Sequence, residues 1–463
     1  VVVLLVFQIL ILLYFMAMNC FFALSFYIAA KELSKTLSQG DDLTTRHLLE
    51  ETFYKPISIL VPAYNEEATI TASLSSFLNL HYPEYEVVVV NDGSKDNTIS
   101  VLIESFALVA VNAFGAQAIA TKNVRGVYRS KLYSNLLVID KENGGKADAL
   151  NAATNYSRFP LVCAVDADSM LDAKALLRSA RAFVEDDTLI ATGGTIRALN
   201  NSDTASGEVL TLRAPQGWLE RFQVVEYVRA FLSGRSTFSH YNLLLIISGA
   251  FGIFRRDVVL ELGGYRTDTV GEDMELVVRM HLWAREQKRP YRILYTADPV
   301  CWTQVPSDLK TLRKQRNRWQ RGLWETLYNH RDLLFNPRYG RIGMVAIPFF
   351  WLFEALAPVI ELSGILYMII LLIFQGLNWP FALLFLALAF FCGLLTSLTA
   401  FCLEVFMHTH YPTLADRRQL FYASILENFG YRQIIVYERF IASFQVWRKR
   451  GQWGEMKRQK IRN

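Results

Sequence analysis

Hydrophobic and polar residues are segregated along this chain. Val1 to Ala30 carries no charged residue, a run longer than the about 20 residues that cross a bilayer as a helix and longer than the apolar core of a signal peptide. Lys31, Lys35 and Arg46 follow it, and the positive-inside bias then places the long polar middle in the cytoplasm. Apolar character returns at Ile342 and reaches Leu377, interrupted by Pro348, Glu354, Pro358 and Glu361. Its front part, Ile342 to Glu361, is expected at the interface, leading into a span from Leu362. A second, uncharged span covers Leu377 to Leu403. The turn between them, Gln375 to Trp379, has no basic residue, whereas Arg338, Arg341, Arg417 and Arg418 flank the pair, as an outside turn requires. The last apolar-rich stretch, Leu420 to Val446, contains Glu427, Arg432, Glu438 and Arg439 and reads as an interfacial or partly inserted helix. The expected organisation is a transmembrane helix at 1–33, a cytoplasmic domain at 50–335, interfacial and transmembrane helices at 342–408, and an amphipathic helix with a basic tail at 420–463.

Within the polar middle the period changes. A short strand, Ile57 to Val61, ends in Pro62-Ala63-Tyr64-Asn65-Glu66, a helix is expected over Glu67 to Leu80, and a strand over Glu86 to Val90 ends in Asn91-Asp92-Gly93-Ser94. A second unit runs from a strand at Leu136 to Ile139 through Asn143-Gly144-Gly145-Lys146, a helix at Ala147 to Tyr156, and a strand at Leu161 to Val165 ending in Asp166-Ala167-Asp168. Strand-helix-strand units build parallel sheets whose ligands gather beyond the carboxyl ends of the strands, where Tyr64, Glu66 and Asp92 fall. A helix-rich middle is expected to follow.

Composition adds to this picture in three respects. With 463 residues, 52% of them hydrophobic and 20% charged, the chain has room for a membrane part and a sizeable soluble part. The net charge of +5 owes much to Arg448, Lys449, Arg450, Lys457, Arg458, Lys460 and Arg462, a tail suited to an anionic bilayer rather than to nucleic acid. The five cysteines, Cys20, Cys163, Cys301, Cys392 and Cys402, form no C-x-x-C pair and read as reduced packing residues.

The candidate chemistry lies at the strand ends. Two glycines let backbone approach a phosphate, a helix N-terminus favours negative charge, and Lys146 adds a cation, so a pyrophosphate is expected there. Asp166 and Asp168 can hold a divalent cation, Mg or Mn, through hard oxygens, although acidic pairs at strand ends also serve as turn formers. No G-x-G-x-x-G follows either strand, against a dinucleotide cofactor. Further on, Ser248-Gly249-Ala250-Phe251 and Gly263-Gly264-Tyr265 precede Gly271-Glu272-Asp273. A carboxylate here suits a general base, for which Asp273, beside Glu272, is the candidate; both acids also suit the first turn of the helix that follows. Gln315, Arg318 and Trp319 form Q-x-x-R-W, at spacings that put all three on one helix face. A basic membrane-surface helix accounts for Lys310, Arg313, Lys314, Arg316 and Arg321, but not for the tryptophan and glutamine.

In that order these motifs resemble a family 2 glycosyltransferase, over Lys55 to Trp324, and the Q-x-x-R-W segment resembles its processive branch of cellulose, chitin, hyaluronan and poly-N-acetylglucosamine synthases. The resemblance implies an α/β fold, a Rossmann-like glycosyltransferase A-type domain flanked by transmembrane and interfacial helices. It implies that Asp92 contacts the uracil or ribose end of a UDP-sugar, Lys146 the diphosphate, Asp168 the metal, and that Asp166 lies near the donor sugar and the metal. Tyr64, Glu66 and Gln315 are expected on the nucleotide, Arg318 on charge developing at the diphosphate, and Trp319 with Phe251 on the polysaccharide acceptor. The expected function is transfer of N-acetylglucosamine to a growing β-linked polysaccharide at the cell (inner) membrane, by a multi-pass protein with its catalytic domain cytoplasmic. A glucose-using β-glucan synthase, a single-sugar transferase to a lipid carrier and a non-catalytic scaffold are the alternatives; an accessory or export subunit is left open.

Overall fold

The computed structural model of the protein describes residues 2–38, 54–113, 115–205, 207–374, 379–406, 411, 413–446 and 448. Residues 375–378 of the expected outside turn, and the basic tail apart from Arg448, lie outside them. The chain divides into two compact units. One takes the described residues of Lys35–Arg213 and Phe238–Val305, the other those of Val1–Ser34, Ala214–Thr237 and Pro306–Arg450. Residues 214–237 and 306–335 therefore cluster with the apolar helices, not with the rest of the 50–335 segment.

The first unit is α/β. Its strands in chain order are β1 (Ile57–Ala63), β2 (Tyr85–Asp92), β3 (Leu108–Ala110), β4 (Val124–Ser130), β5 (Leu136–Lys141), β6 (Leu161–Val165), β7 (Ser169–Leu171) and β8 (Leu189–Ala198), then a small hairpin of β9 (Asp203–Ala205) and β10 (Glu208–Thr211), then β11 (Phe251–Arg255) and β12 (Arg292–Thr303). Ten of them form one sheet in the order β3-β4-β5-β2-β1-β6-β11-β8-β12-β7. At its centre β5, β2, β1 and β6 run parallel, while β11 is antiparallel to both β6 and β8. Val87 to Val90, four valines in succession, are all fully buried; such a run suits a strand covered on both faces. Helices Ile70–Leu78 and Lys146–Tyr156 make two of the crossovers. The parallel strands all end on the same side, so the loops after β1, β2, β5 and β6 converge there.

Strands β7 and β8 depart from the expected helix-rich middle. The ten residues of β8 are all buried although they include Thr192, Gly193, Gly194, Thr195 and Arg197. Its position between β11 and β12 buries it, and its own polarity pattern carries no trace of that.

The second unit is helical. Among the described residues, Leu5–Glu32 and Trp379–Val405 are long and apolar enough to cross a membrane, and Ile342–Ala355 with Ala357–Ile373, bent by 44° at their junction, make a third if they count as one span. The break falls at Leu356 rather than near Leu362, because Pro358 fits only the first turn of a helix. The expected single helix over Leu420 to Val446 is two helices, Leu414–Leu426 and Tyr431–Gln445, separated at Gly430 with φ +91°. Three of its charged side chains are paired within this unit. Glu427 bonds Arg229 Nη1 at 2.5 Å, Glu438 accepts from Arg313 Nε at 2.7 Å, and Arg439 Nε donates to Gln320 Oε1 at 2.8 Å.

Candidate active site

The loops after β1 and β2 are tied together by their own polar residues. Asn65, in the left-handed region at φ 55°, donates its N–H to Ser94 Oγ at 3.0 Å and accepts from the Lys95 N–H at 2.8 Å. Glu66 is buried and accepts from Thr69 Oγ1 at 2.7 Å, while its N–H bonds Thr98 Oγ1. Tyr64 is partly exposed beside them.

Asp92, 2% exposed, is surrounded by protein donors. Lys141 Nζ lies 2.6 Å from its Oδ1, the Gly144 N–H 3.0 Å from Oδ1, the Gly145 N–H 2.8 Å from Oδ2, and Asn143 Nδ2 3.2 Å from Oδ2. The two glycine amides are thus turned onto Asp92, and the cation of this loop is Lys146. Gly93 stands where it does for a steric reason: at φ +65°, an added Cβ would lie 2.7 Å from the Asn143 backbone N. Lys141, fully buried, also pairs with Asp148 at 2.5 Å, forming an Asp92-Lys141-Asp148 cluster beneath the loop. Sequence reasoning passed over Lys141 and Asp148. Lys141 is the last residue of β5 and meets Asp92 only through the register of the two parallel strands, which the sequence does not record.

Lys146, at the start of its helix, donates to Asp166 Oδ1 at 2.5 Å and to the Gly249 carbonyl at 3.1 Å, and Glu272 Oε1 lies 3.8 Å away. Burial opposes its charge, but Asp166, Glu272 and Asp273 outweigh that and hold its pKa above the ordinary lysine range. The same Gly249 donates its N–H to Asp273 Oδ2 at 3.1 Å, and Asp273 Oδ1 accepts from the Met274 N–H at 2.8 Å. Asp273 therefore accepts from an amide in the first turn of its helix, behind the N-cap Gly271, and also faces the Lys146 loop. Gly249 joins the two, since a Cβ there would come within 3.0 Å of Lys146 Nζ and 3.4 Å of Asp273 Oδ2. Asn151 ties the segment Gly263 to Tyr265 to the Lys146 helix, donating to the Tyr265 carbonyl at 2.8 Å and accepting from its N–H at 2.7 Å. Asp168 is buried two residues after Asp166, in the tight turn that the Ser169 N–H closes onto the Asp166 carbonyl at 3.0 Å. Phe251 corrects an expectation: it is 1% exposed in β11, paired with Val165, so it packs in the core and presents no surface to an acceptor.

In the helical unit, Gln315, Arg318 and Trp319 lie on the helix Leu309–Asn329, capped at its start by Asp308, whose side chain accepts from the Thr311 N–H. Trp319 is 44% exposed. Arg316, which a basic membrane-surface helix would expose, is instead buried: its Nη2 donates to Glu226 Oε2 at 2.8 Å and its guanidinium lies 4.2 Å over the Trp319 ring.

The family model described as Glycosyltransferase like family 2 matches residues 55–322, and the chain belongs to that family. The poly-beta-1,6-N-acetyl-D-glucosamine synthase of Staphylococcus aureus (strain COL) is 27% identical over 352 residues, covering 76% of this chain and 70% of that protein. The protein of the same name from Staphylococcus epidermidis is 29% identical over 272 residues, 58% of this chain and 55% of that one. Among solved structures, a mannosyltransferase from Pyrobaculum calidifontis in complex with GDP-Man and Mn2+ covers 91% of this chain and 99% of its own, with a TM-score of 0.50 at 18% identity. The α/β unit has the Rossmann-like glycosyltransferase A-type fold, and apolar helices precede and follow it in the chain.

Proposed function

We propose that this protein is an inverting, processive transferase that lies in the membrane with its α/β unit in the cytoplasm. It takes N-acetylglucosamine from UDP-N-acetylglucosamine and adds it to a β-linked polymer. The observation that carries the chemistry is the Asp166-Lys146-Gly249-Asp273 chain of contacts, which sets a cation suited to a diphosphate beside a carboxylate suited to a base. Asp273 takes the proton of the acceptor hydroxyl as its oxygen attacks the anomeric carbon; the bond from that carbon to the diphosphate breaks, and UDP leaves from the opposite face. Lys146 offers the diphosphate a full positive charge, aided by its helix N-terminus. The similarity to poly-N-acetylglucosamine synthases supports the choice of sugar and polymer, and the apolar helices support the membrane placement.

A divalent cation fits the donor set. Asp166 and Asp168 supply hard carboxylate oxygens two residues apart in one tight turn, closed by the Ser169 N–H on the Asp166 carbonyl. That suits Mg or Mn, which keep water and substrate phosphates in their coordination. Asp166 and Asp168 would hold the ion, whose chemistry is to neutralise charge on the departing diphosphate.

The test is UDP release by the detergent-purified protein with Mg²⁺ or Mn²⁺, offered UDP-N-acetylglucosamine, UDP-glucose or UDP-glucuronate, with the products sized. Long products from the first donor are expected. Long products from another donor would reassign the sugar, single-sugar lipid products would replace the synthase by a carrier transferase, and no turnover with any donor would sink the reading.

A further inference from the structure

The Q-x-x-R-W helix contains a residue whose contacts concern the motif rather than a ligand. Arg316 is 2% exposed. Its Nη1 donates to the Gln315 side-chain carbonyl at 2.7 Å, its Nη2 donates to Glu226 Oε2 at 2.8 Å, and its guanidinium covers the Trp319 ring at 4.2 Å. The Arg316 Nε–H is buried without a hydrogen-bond acceptor, so the plane of the group is held by the carboxylate at one end and by the ring face below it. Glu226 is itself fixed, since the Tyr431 hydroxyl donates to the same Oε2 at 2.5 Å. Tyr227, next to Glu226, approaches the Trp319 ring with centroids 6.4 Å apart. Half-exposed tryptophans on helices ordinarily sample several rotamers; this one rests against a buried, anchored cation.

The geometry points to Arg316 as a positioning residue, locked by Glu226 and Tyr431, that holds the Trp319 ring as a fixed platform for the acceptor sugar and turns the amide N–H end of Gln315 outward. This rests on the reading of Trp319 as an acceptor platform. The contacts require a planar cation. Lysine in its place would keep the charge opposite Glu226 but lose both the plane over the ring and the second donor to Gln315. A buried ion pair retained next to a working surface is more readily explained by geometry than by stability, because hydrophobic replacements of such pairs are often neutral or stabilising.

The test uses the full chain in detergent, labelled with 5-fluorotryptophan and observed by fluorine NMR, alongside product sizing. The Trp319 resonance is assigned as the one lost in Trp319→Phe. Arg316→Lys and Glu226→Gln are expected to shift or broaden that resonance while the other tryptophans stay in place. Both should shorten the products roughly two- to tenfold, the range a contact of this kind governs, with a smaller loss of donor turnover. In a Trp319→Ala background Arg316→Lys should shorten products no further, because it acts through the ring. If Glu226→Gln does not fold, Tyr431→Phe removes only the hydroxyl and should move the same resonance less. An unmoved Trp319 resonance in Arg316→Lys overturns the positioning, whatever the activity. Normal-length products from Trp319→Ala would instead overturn the acceptor reading on which the proposal rests, and the NMR result would show which of the two had failed.

Discussion

Lys141 Nζ lies 2.6 Å from Asp92 Oδ1, with the lysine fully buried and the aspartate 2% exposed. This pair joins the end of β2 to the end of β5 and, through the Gly144 and Gly145 amides on the same carboxylate, sets the path of the chain into Lys146. Removing the carboxylate leaves a buried ammonium with Asp148 as its remaining carboxylate, and two amides without their acceptor. Asp92→Ala is expected to cost about 3–5 kcal/mol, seen as a marked fall in the thermal midpoint. An unchanged midpoint would show that the loop does not depend on this pair.

Asp273→Asn should keep the contact with the Gly249 N–H through the amide oxygen, and so keep the fold and donor binding, while losing the base. Transfer is expected to fall by about 10²–10⁴-fold. Donor affinity by calorimetry and turnover by UDP release separate the two effects, and near-normal turnover would remove Asp273 from the role.

Gly249 sits between Lys146 and Asp273, the proposed base. In Gly249→Ala the new Cβ would lie 3.0 Å from Lys146 Nζ, and the lysine tip would yield by a few tenths of an ångström. Stability should change little, whereas turnover should fall about tenfold, since small displacements of reacting groups are costly. Turnover equal to that of the unmutated protein would mean that the Gly249 bridge is incidental.

His281 provides a pH dependence with a definite sign. It is fully buried, with Nδ1 2.8 Å from the Tyr291 hydroxyl and Nε2 2.9 Å from the Leu244 carbonyl. Burial lowers its pKa from 6.5 to about 4. A folded-state pKa below the unfolded value means that the unfolded chain takes up the proton first. The contribution is therefore fully present above about pH 6.5 and is lost as pH falls towards 4, at up to about 1.4 kcal/mol per pH unit. Thermal midpoints between pH 7 and pH 4.5 should decline, and the decline should be shallower in His281→Gln. Equal slopes in the two proteins would exclude His281 as the source.

Asp168→Ala is expected to weaken donor binding only when Mg²⁺ or Mn²⁺ is present, because its oxygens are assigned to the ion. Titrations of the unmutated protein with and without metal set the reference, and identical affinities there would leave Asp168 without a metal role.

Much of the architecture was legible in the sequence. The parallel core strands stood out because Ile57 to Val61 and Glu86 to Val90 are short apolar runs bounded by turn residues. The apolar ends stood out because nothing but a bilayer or a large core accommodates a charge-free run such as Val1 to Ala30. Pro62 to Glu66, Asn91 to Ser94, Gly144 to Lys146 and Asp166 to Asp168 could be placed at strand ends because turn chemistry is local. Tertiary structure decided the rest. Only the register of β2 against β5 reveals that Lys141 is a buried counter-ion to Asp92, and only packing places the Gly249 carbonyl and N–H between Lys146 and Asp273, 103 and 24 residues away in sequence. Arg316 looked like one surface charge among several until the Glu226 carboxylate, 90 residues earlier in the chain, was seen to bury it. Phe251 was misjudged for the same reason, since a residue's side of a sheet depends on which strands flank it. Period and turn chemistry are properties of neighbours along the chain, which sequence records directly; ion pairing and burial are properties of neighbours in space, which only the folded chain creates.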